Sequence, residues 1–243
     1  MRIAIIGAGW VGEKLAAYLK KKGHHVITTT TTPEKTVPLS STATEAHLLD
    51  FTSAPDFSFL ESVDVAIFSM PISHSGWHAG FQKMELQFPK TLLFSSTGIY
   101  PKKDQVFTEE DTTGLREDLL TSEKVVLRQY PQTNILRFGG LMGGDRSLSK
   151  FMKGRRPDEP TKPANYIHYE DILAIVDLLI RSERRSEIYN VVAPEHPTVA
   201  EILNLEEPLQ DPGKEAAPRR IISSEKLQRD FNYTFIHPNP KDF

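Results

Sequence analysis

Gly7, Gly9 and Gly12 stand in the spacing G-x-G-x-x-G inside RIAIIGAGWVGEKL. Each position of that spacing has a physical reason. The first glycine permits a tight turn, the second lets the backbone approach a pyrophosphate, and the third lets a helix pack closely on a strand. Phosphates held there would sit on the free N–H groups of the following helix, where the macrodipole favours negative charge. Gly7, Gly9, Trp10, Val11 and Gly12 are therefore candidate dinucleotide-binding residues. An acid that holds the ribose 2′-hydroxyl of NAD is expected about 20 residues further on. The chain instead reads Thr28 to Thr32, then Pro33, Glu34 and Lys35. The hydroxyls of Thr30 and Thr31 and the ammonium of Lys35 suit a 2′-phosphate, so the expected cofactor is NADP in preference to NAD.

Such a loop needs a strand before it and a helix after it. Ile3, Ala4, Ile5 and Ile6 form a short apolar run of the kind buried on both faces of a parallel sheet. Residues 14–19 continue as a helix that ends near Gly23, and residues 25–28 supply a second strand. Further along, 46–50 (AHLLD), 63–70 (VDVAIFSM), 91–95 (TLLFS) and 134–138 (NILRF) read as strands, and 74–88 and 115–130 as helices. The alternation predicts an α/β fold with a doubly wound parallel sheet of Rossmann type, in which ligands bind at the carboxyl ends of the strands. Ser69 and Met70 close the fourth strand on that edge, and the turn Ser96, Thr97, Gly98 follows the fifth. From about Gly144 the pattern loosens into a proline- and charge-rich stretch over 153–166, a helix over 169–180, a strand over 188–192 and a short helix over 224–231. The expected division is a dinucleotide-binding domain over 1–143 and a mixed region over 144–243. The latter would carry a small substrate lobe, packed on the first as one compact unit.

Composition narrows the function classes. The 243 residues carry a formal net charge of −3, with no basic run longer than Lys20, Lys21, Lys22. That is no surface for tracking nucleic-acid phosphates. With no cysteine, disulfide frameworks, thiolate metal sites and thiol catalysis are excluded. The chain enters directly into a core strand and holds no apolar run long enough to span a bilayer, so the expectation is a cytoplasmic protein that binds no membrane. His74 and His78 have i, i+4 spacing but neither a third ligand nor an H-E-x-x-H glutamate, and no metal is expected.

The succession GAGWVG, LLFSSTGIY, ILRFGGLMG, NYIHYEDILAIV and YNVVAPEHPTVAEIL covers nearly the whole chain. In that order the motifs resemble the extended and atypical short-chain dehydrogenase/reductases, the NAD(P)-dependent epimerase/dehydratase group. The resemblance implies a Rossmann domain with a small C-terminal substrate lobe, a small-molecule substrate, and a homodimer through the two central helices. It places Asp50 and Phe51 near the adenine, Ser95, Ser96 and Thr97 beside the nicotinamide, and Phe138 and Gly139 along the nicotinamide side. Thr97 takes the slot of the family's catalytic Ser/Thr.

One departure bears on the chemistry. With Glu123 as anchor, the Tyr and Lys slots of the family's Tyr-x-x-x-Lys hold Leu115 and Leu119. A leucine neither moves a proton nor holds a ribose. Lys124 is no substitute, because five residues at about 100° each turn it roughly 140° away from position 119. Tyr100, just past Thr97, is the remaining candidate proton donor, with packing as its alternative role. Tyr166 and His168 border the substrate pocket in the family, although a buried structural histidine is the ordinary reading of His168. Arg137 and Arg146 suit either an anionic substrate group or an ion pair. The functional expectation is an NAD(P)-dependent oxidoreductase or epimerase/dehydratase-like enzyme acting on a small carbonyl or nucleotide-sugar-type substrate. The alternative is a non-catalytic NAD(P)-binding redox sensor or regulatory interaction protein.

Overall fold

A computed structural model describes residues 1–53, 55–206 and 218–243. In chain order the elements begin with β1 (Arg2–Ile6), α1 (Trp10–Lys21), β2 (His25–Thr30), α2 (Thr36–Thr42), β3 (Glu45–Leu48), β4 (Val65–Phe68), α3 (His78–Phe81) and β5 (Lys90–Ser96). They continue with β6 (Gln105–Phe107), α4 (Glu117–Gln129), β7 (Asn134–Phe138), β8 (Gly140–Met142), α5 (Leu148–Met152), β9 (Tyr166–His168) and α6 (Tyr169–Arg181). The chain closes with β10 (Ile188–Val191), α7 (Val199–Leu203), β11 (Arg220–Ile222) and α8 (Glu225–Phe231).

Among the described residues, seven strands form a parallel sheet in the order β10-β7-β5-β4-β1-β2-β3, the Rossmann-like arrangement that the alternation predicts. Ile3 to Ile6 are buried on both faces, as helices covering a parallel sheet require. Helix α1 turns Val11, Leu15, Ala16 and Leu19 inward and carries Lys20 and Lys21 in its last turn, where the dipole favours cations. The order reverses between β1 and β4, whose ends pair in register as Ile6 with Phe68. A reversal of this kind opens a crevice at the carboxyl ends of the two strands.

The chain forms two compact units. The first comprises Met1–Ser96, Glu117–Leu136 and Val176–Ile188; the second comprises Thr97–Arg116, Arg137–Ile175 and Tyr189–Phe243. The loosening of pattern near Gly144 falls inside the second unit, and α6 contributes residues to both. In the first unit Phe68, Phe81, Phe88 and Tyr130 make an aromatic cluster, with Phe68 edge-on to Phe81 at 5.0 Å. The second unit holds two small parallel pairs, β6 with β11 and β8 with β9. No helix among the described residues is long and apolar enough to cross a membrane.

The helix expected over 74–88 shrinks to the single turn α3. The reason is tertiary. Gly80 packs so closely on the Phe51 carbonyl that a side chain there would run into it. The carbonyls that would have continued the helix accept from α4 and the loop after it instead. Met84 O takes the Gln129 amide, Leu86 O the Tyr130 hydroxyl at 3.1 Å, and Phe88 O the Gln132 amide at 3.0 Å.

Lys90, at the start of β5, is only 4% exposed. Its ammonium donates to the carbonyls of Leu179 at 2.5 Å and Ile180 at 3.0 Å, and also to that of Ser182. These are acceptors that a helix C-terminus leaves without intrahelical partners. Burial pushes the ammonium down to about 8, which leaves it charged at neutral pH. Lys90→Met takes one donor from each of three carbonyls, of which Leu179 O keeps the Ser182 hydroxyl at 3.0 Å and Ser182 O keeps the Arg185 guanidinium at 3.4 Å. It is expected to destabilise the protein by about 1–3 kcal/mol, read as a lower denaturant midpoint at unchanged slope.

Candidate functional site

The site grows out of the end of β1. Gly7 adopts φ +93°, and a Cβ on it would stand 2.9 Å from Ser69 O and 3.2 Å from Met70 N, so turn and close approach both demand glycine. The turn is pinned to β2: Gly7 N–H donates to Thr29 Oγ1 at 3.0 Å and Ala8 N–H to Thr29 O at 2.7 Å. Gly12 faces Ile5, where a Cβ would touch Cγ2 at 3.3 Å, and so α1 can lie close on β1. Gly9 is different. It caps α1 in an extended conformation, and a Cβ there would meet nothing within 4 Å. The helix N-terminus therefore opens onto free space.

That space is a cleft of about 400 Å³ formed by the first unit. Gly7, Gly9, Thr30, Thr31, Lys35, Asp50, Phe51, Ser69 and Met70, all singled out from the sequence, line it together. One wall ends β2 with hydroxyls and the Lys35 ammonium. Another carries Asp50, whose Oδ1 accepts from the N–H and hydroxyl of Thr52 at 2.8 and 2.7 Å. Those two donors hold its carboxyl below the usual carboxylate range. The sequence reading missed the wall after β4, made by Pro71, His74, Gly76 and Trp77. The Trp77 indole N–H donates to Pro71 O at 3.0 Å and fixes that loop. The signal was its place directly after a core strand at the carboxyl edge.

Other expected residues lie elsewhere. Trp10, under the Lys14 ammonium at 5.0 Å, and Val11, buried, belong to the body of α1. Ser95 is buried and donates to Glu123 Oε1 at 2.6 Å, an internal link between β5 and α4. Leu119, the position that the resemblance aligns with a lysine, is 2% exposed and packs in the interior; Lys124 is exposed.

Thr97, Tyr100, Phe138 and Gly139 belong to the second unit. Thr97 Oγ1 donates to Phe138 O at 3.2 Å, and the Arg220 guanidinium donates to Thr97 O. Gly139 packs against the Asn165 carbonyl with no room for a side chain. Tyr100, expected as a proton donor, is 2% exposed. Its hydroxyl donates to Asn190 Oδ1 at 2.8 Å and accepts from Arg137 Nη1 at 3.0 Å, and burial raises its pKa above the ordinary phenol value. The phenol proton is thus held inside the unit. Arg137 serves that contact, and Arg146 closes a short antiparallel bridge with Gly143.

Comparison with known proteins bears on the fold. Residues 2–76 match the profile of the family described as "NADP oxidoreductase coenzyme F420-dependent". Protein YeeZ of Escherichia coli is 26% identical over 98% of this chain and 97% of its own. A solved structure described as a functionally unknown conserved protein from Silicibacter pomeroyi superposes with a TM-score of 0.79 at 19% identity, over 99% of this chain and 95% of that one. UDP-glucuronic acid 4-epimerase from Bacillus cereus, solved in complex with NAD, superposes with a TM-score of 0.75 at 17% identity, over 100% of this chain and 94% of that one. The chain shares the Rossmann-type fold of these structures.

Proposed function

We propose that this chain is an NAD(P)-dependent oxidoreductase, related in its chemistry to epimerases and dehydratases. It binds NADP in preference to NAD and acts on a small carbonyl or nucleotide-sugar-type substrate. The observation that carries the reading is the cleft, in which the open N-terminus of α1 at Gly9 and the group Thr30, Thr31, Lys35 share one wall-to-wall space. The amides after Gly7 would bind a pyrophosphate, and Thr30, Thr31 and Lys35 would donate to a 2′-phosphate that no carboxylate at the end of β2 repels. Asp50 would accept from the adenine amino group. The bound cofactor would supply hydride transfer. The matched NADP oxidoreductase profile spans the cleft residues from Gly7 to Gly76, and the Bacillus cereus epimerase was solved with NAD bound; both support a nicotinamide cofactor in this cleft.

Tyr100 has, in this proposal, a structural role in the second unit. Tyr100→Phe leaves Arg137 and Asn190 each short of a partner, so it should cost about 1–3 kcal/mol of stability while leaving cofactor affinity unchanged. A folded variant of unchanged stability but with lost turnover would restore the tyrosine as the acid.

A second reading, a protein that binds the cofactor without turning it over, is favoured by Leu119 in the apolar interior where the family keeps its lysine. Protein saturated with NADPH that oxidises none of it across a panel of carbonyls and nucleotide sugars would establish the sensor.

Two binding measurements test the site itself. Gly9→Val has an unstrained backbone and nothing to displace, so the variant should fold, with its side chain filling the phosphate's approach and abolishing binding in calorimetry. Lys35→Glu should weaken NADP by about tenfold and leave NAD within about twofold. A parent protein that prefers NAD by tenfold would reject the NADP assignment.

A further inference from the structure

The second unit brings together three side chains that no local spacing unites. His168 ends β9, Glu170 lies in the first turn of α6, and His237 follows 67 residues after Glu170. A ligand atom from each lies within 4.8 Å of the other two. His237 Nε2 stands 2.7 Å from Glu170 Oε2, and His168 Nδ1 stands 3.8 Å from the same oxygen. The two imidazole rings face one another with centroids 3.7 Å apart.

We propose that His168, Glu170 and His237 form a binding site for a divalent transition-metal ion of the zinc class. Two imidazoles and one carboxylate are a donor set that suits such ions, and three protein ligands leave a position for water. Zinc bonds of about 2.0–2.2 Å at a tetrahedral angle place donors roughly 3.4 Å apart, and the separations of 2.7 and 3.8 Å straddle that value.

The surroundings hold the ligands as an ion would need them. His168 Nδ1 is the unprotonated ring nitrogen, since it accepts from Glu170 N–H at 3.3 Å, a long bond that an incoming ion would have to displace. The Tyr169 hydroxyl donates to Glu170 Oε1 at 3.2 Å, leaving Oε2 toward the imidazoles. Behind them the fully buried Asp171 carboxylate accepts from Ile236 N–H at 2.7 Å, His237 N–H at 3.0 Å and the Tyr233 hydroxyl at 2.7 Å. It fastens the segment that carries His237 to the start of α6, the kind of support that orients ligands in metal sites. His168 is buried while the Glu170 side chain is 45% exposed, so the cluster is open to solvent on one side.

The test is a titration of the full chain, stripped by chelator, with zinc chloride against a chromophoric competitor. One ion should bind per chain and raise the thermal midpoint. His237→Ala and Glu170→Gln should each lower zinc affinity by more than the roughly 10–100-fold that loss of a partner behind a ligand costs. His25→Ala, which breaks the other histidine–carboxylate group of His25, Glu45 and His47, should leave it unchanged. Circular dichroism reports folding. If His237→Ala does not fold, Glu170→Gln, which keeps the side chain's size, decides. A parent chain that takes up no zinc at micromolar concentration, variants that bind as the parent does, or binding lost only in His25→Ala would each overturn the proposal; an ion pair between Glu170 and His237 would then be all the cluster does.

Discussion

The carbonyl of Ser69 leaves no space for a side chain at Gly7, and much of the molecule follows from that closeness. It occurs where β1 and β4 leave the sheet side by side, at the reversal of strand order. The turn it forces starts α1 at the carboxyl edge, with its free amides aimed across the ends of β2 and β4. Thr29 fixes that aim by accepting from two successive amides of the turn. A helix N-terminus held this firmly attracts anions without needing a basic side chain in contact. The net negative charge of the chain is therefore no obstacle to binding a phosphate there.

The cleft lies wholly on the first unit. Every lining residue comes from the first 77 positions. Leu115 and Leu119 lie outside this surface. Leu119, buried on α4, is part of the apolar interior.

Features governed by short-range rules were legible in the sequence, and features governed by distant partners were not. The glycine spacing, the buried strand runs and the absent acid after β2 are local, and seven of the residues they indicate share the cleft, joined by Asp50 and Phe51, which the resemblance placed there. The stretch 74–88 has a helix-like pattern, yet Gln129, Tyr130 and Gln132 capture its carbonyls from more than forty positions away. Tyr100 reads as a candidate proton donor at a turn, and its hydroxyl instead donates to Asn190, 90 residues later. The three-residue strands β6, β8, β9 and β11 offer too few positions for a periodicity to show.

Helix α6 serves two hydrophobic interiors: its residues up to Ile175 belong to the second unit and those from Val176 to the first. The first unit also needs the piece that ends at Ile188. A nascent chain released as far as β7 thus holds most of one core and completes neither. Synthesis must run past α6 before either interior can close, so the apolar faces of β5 and α4 lack their full cover until then.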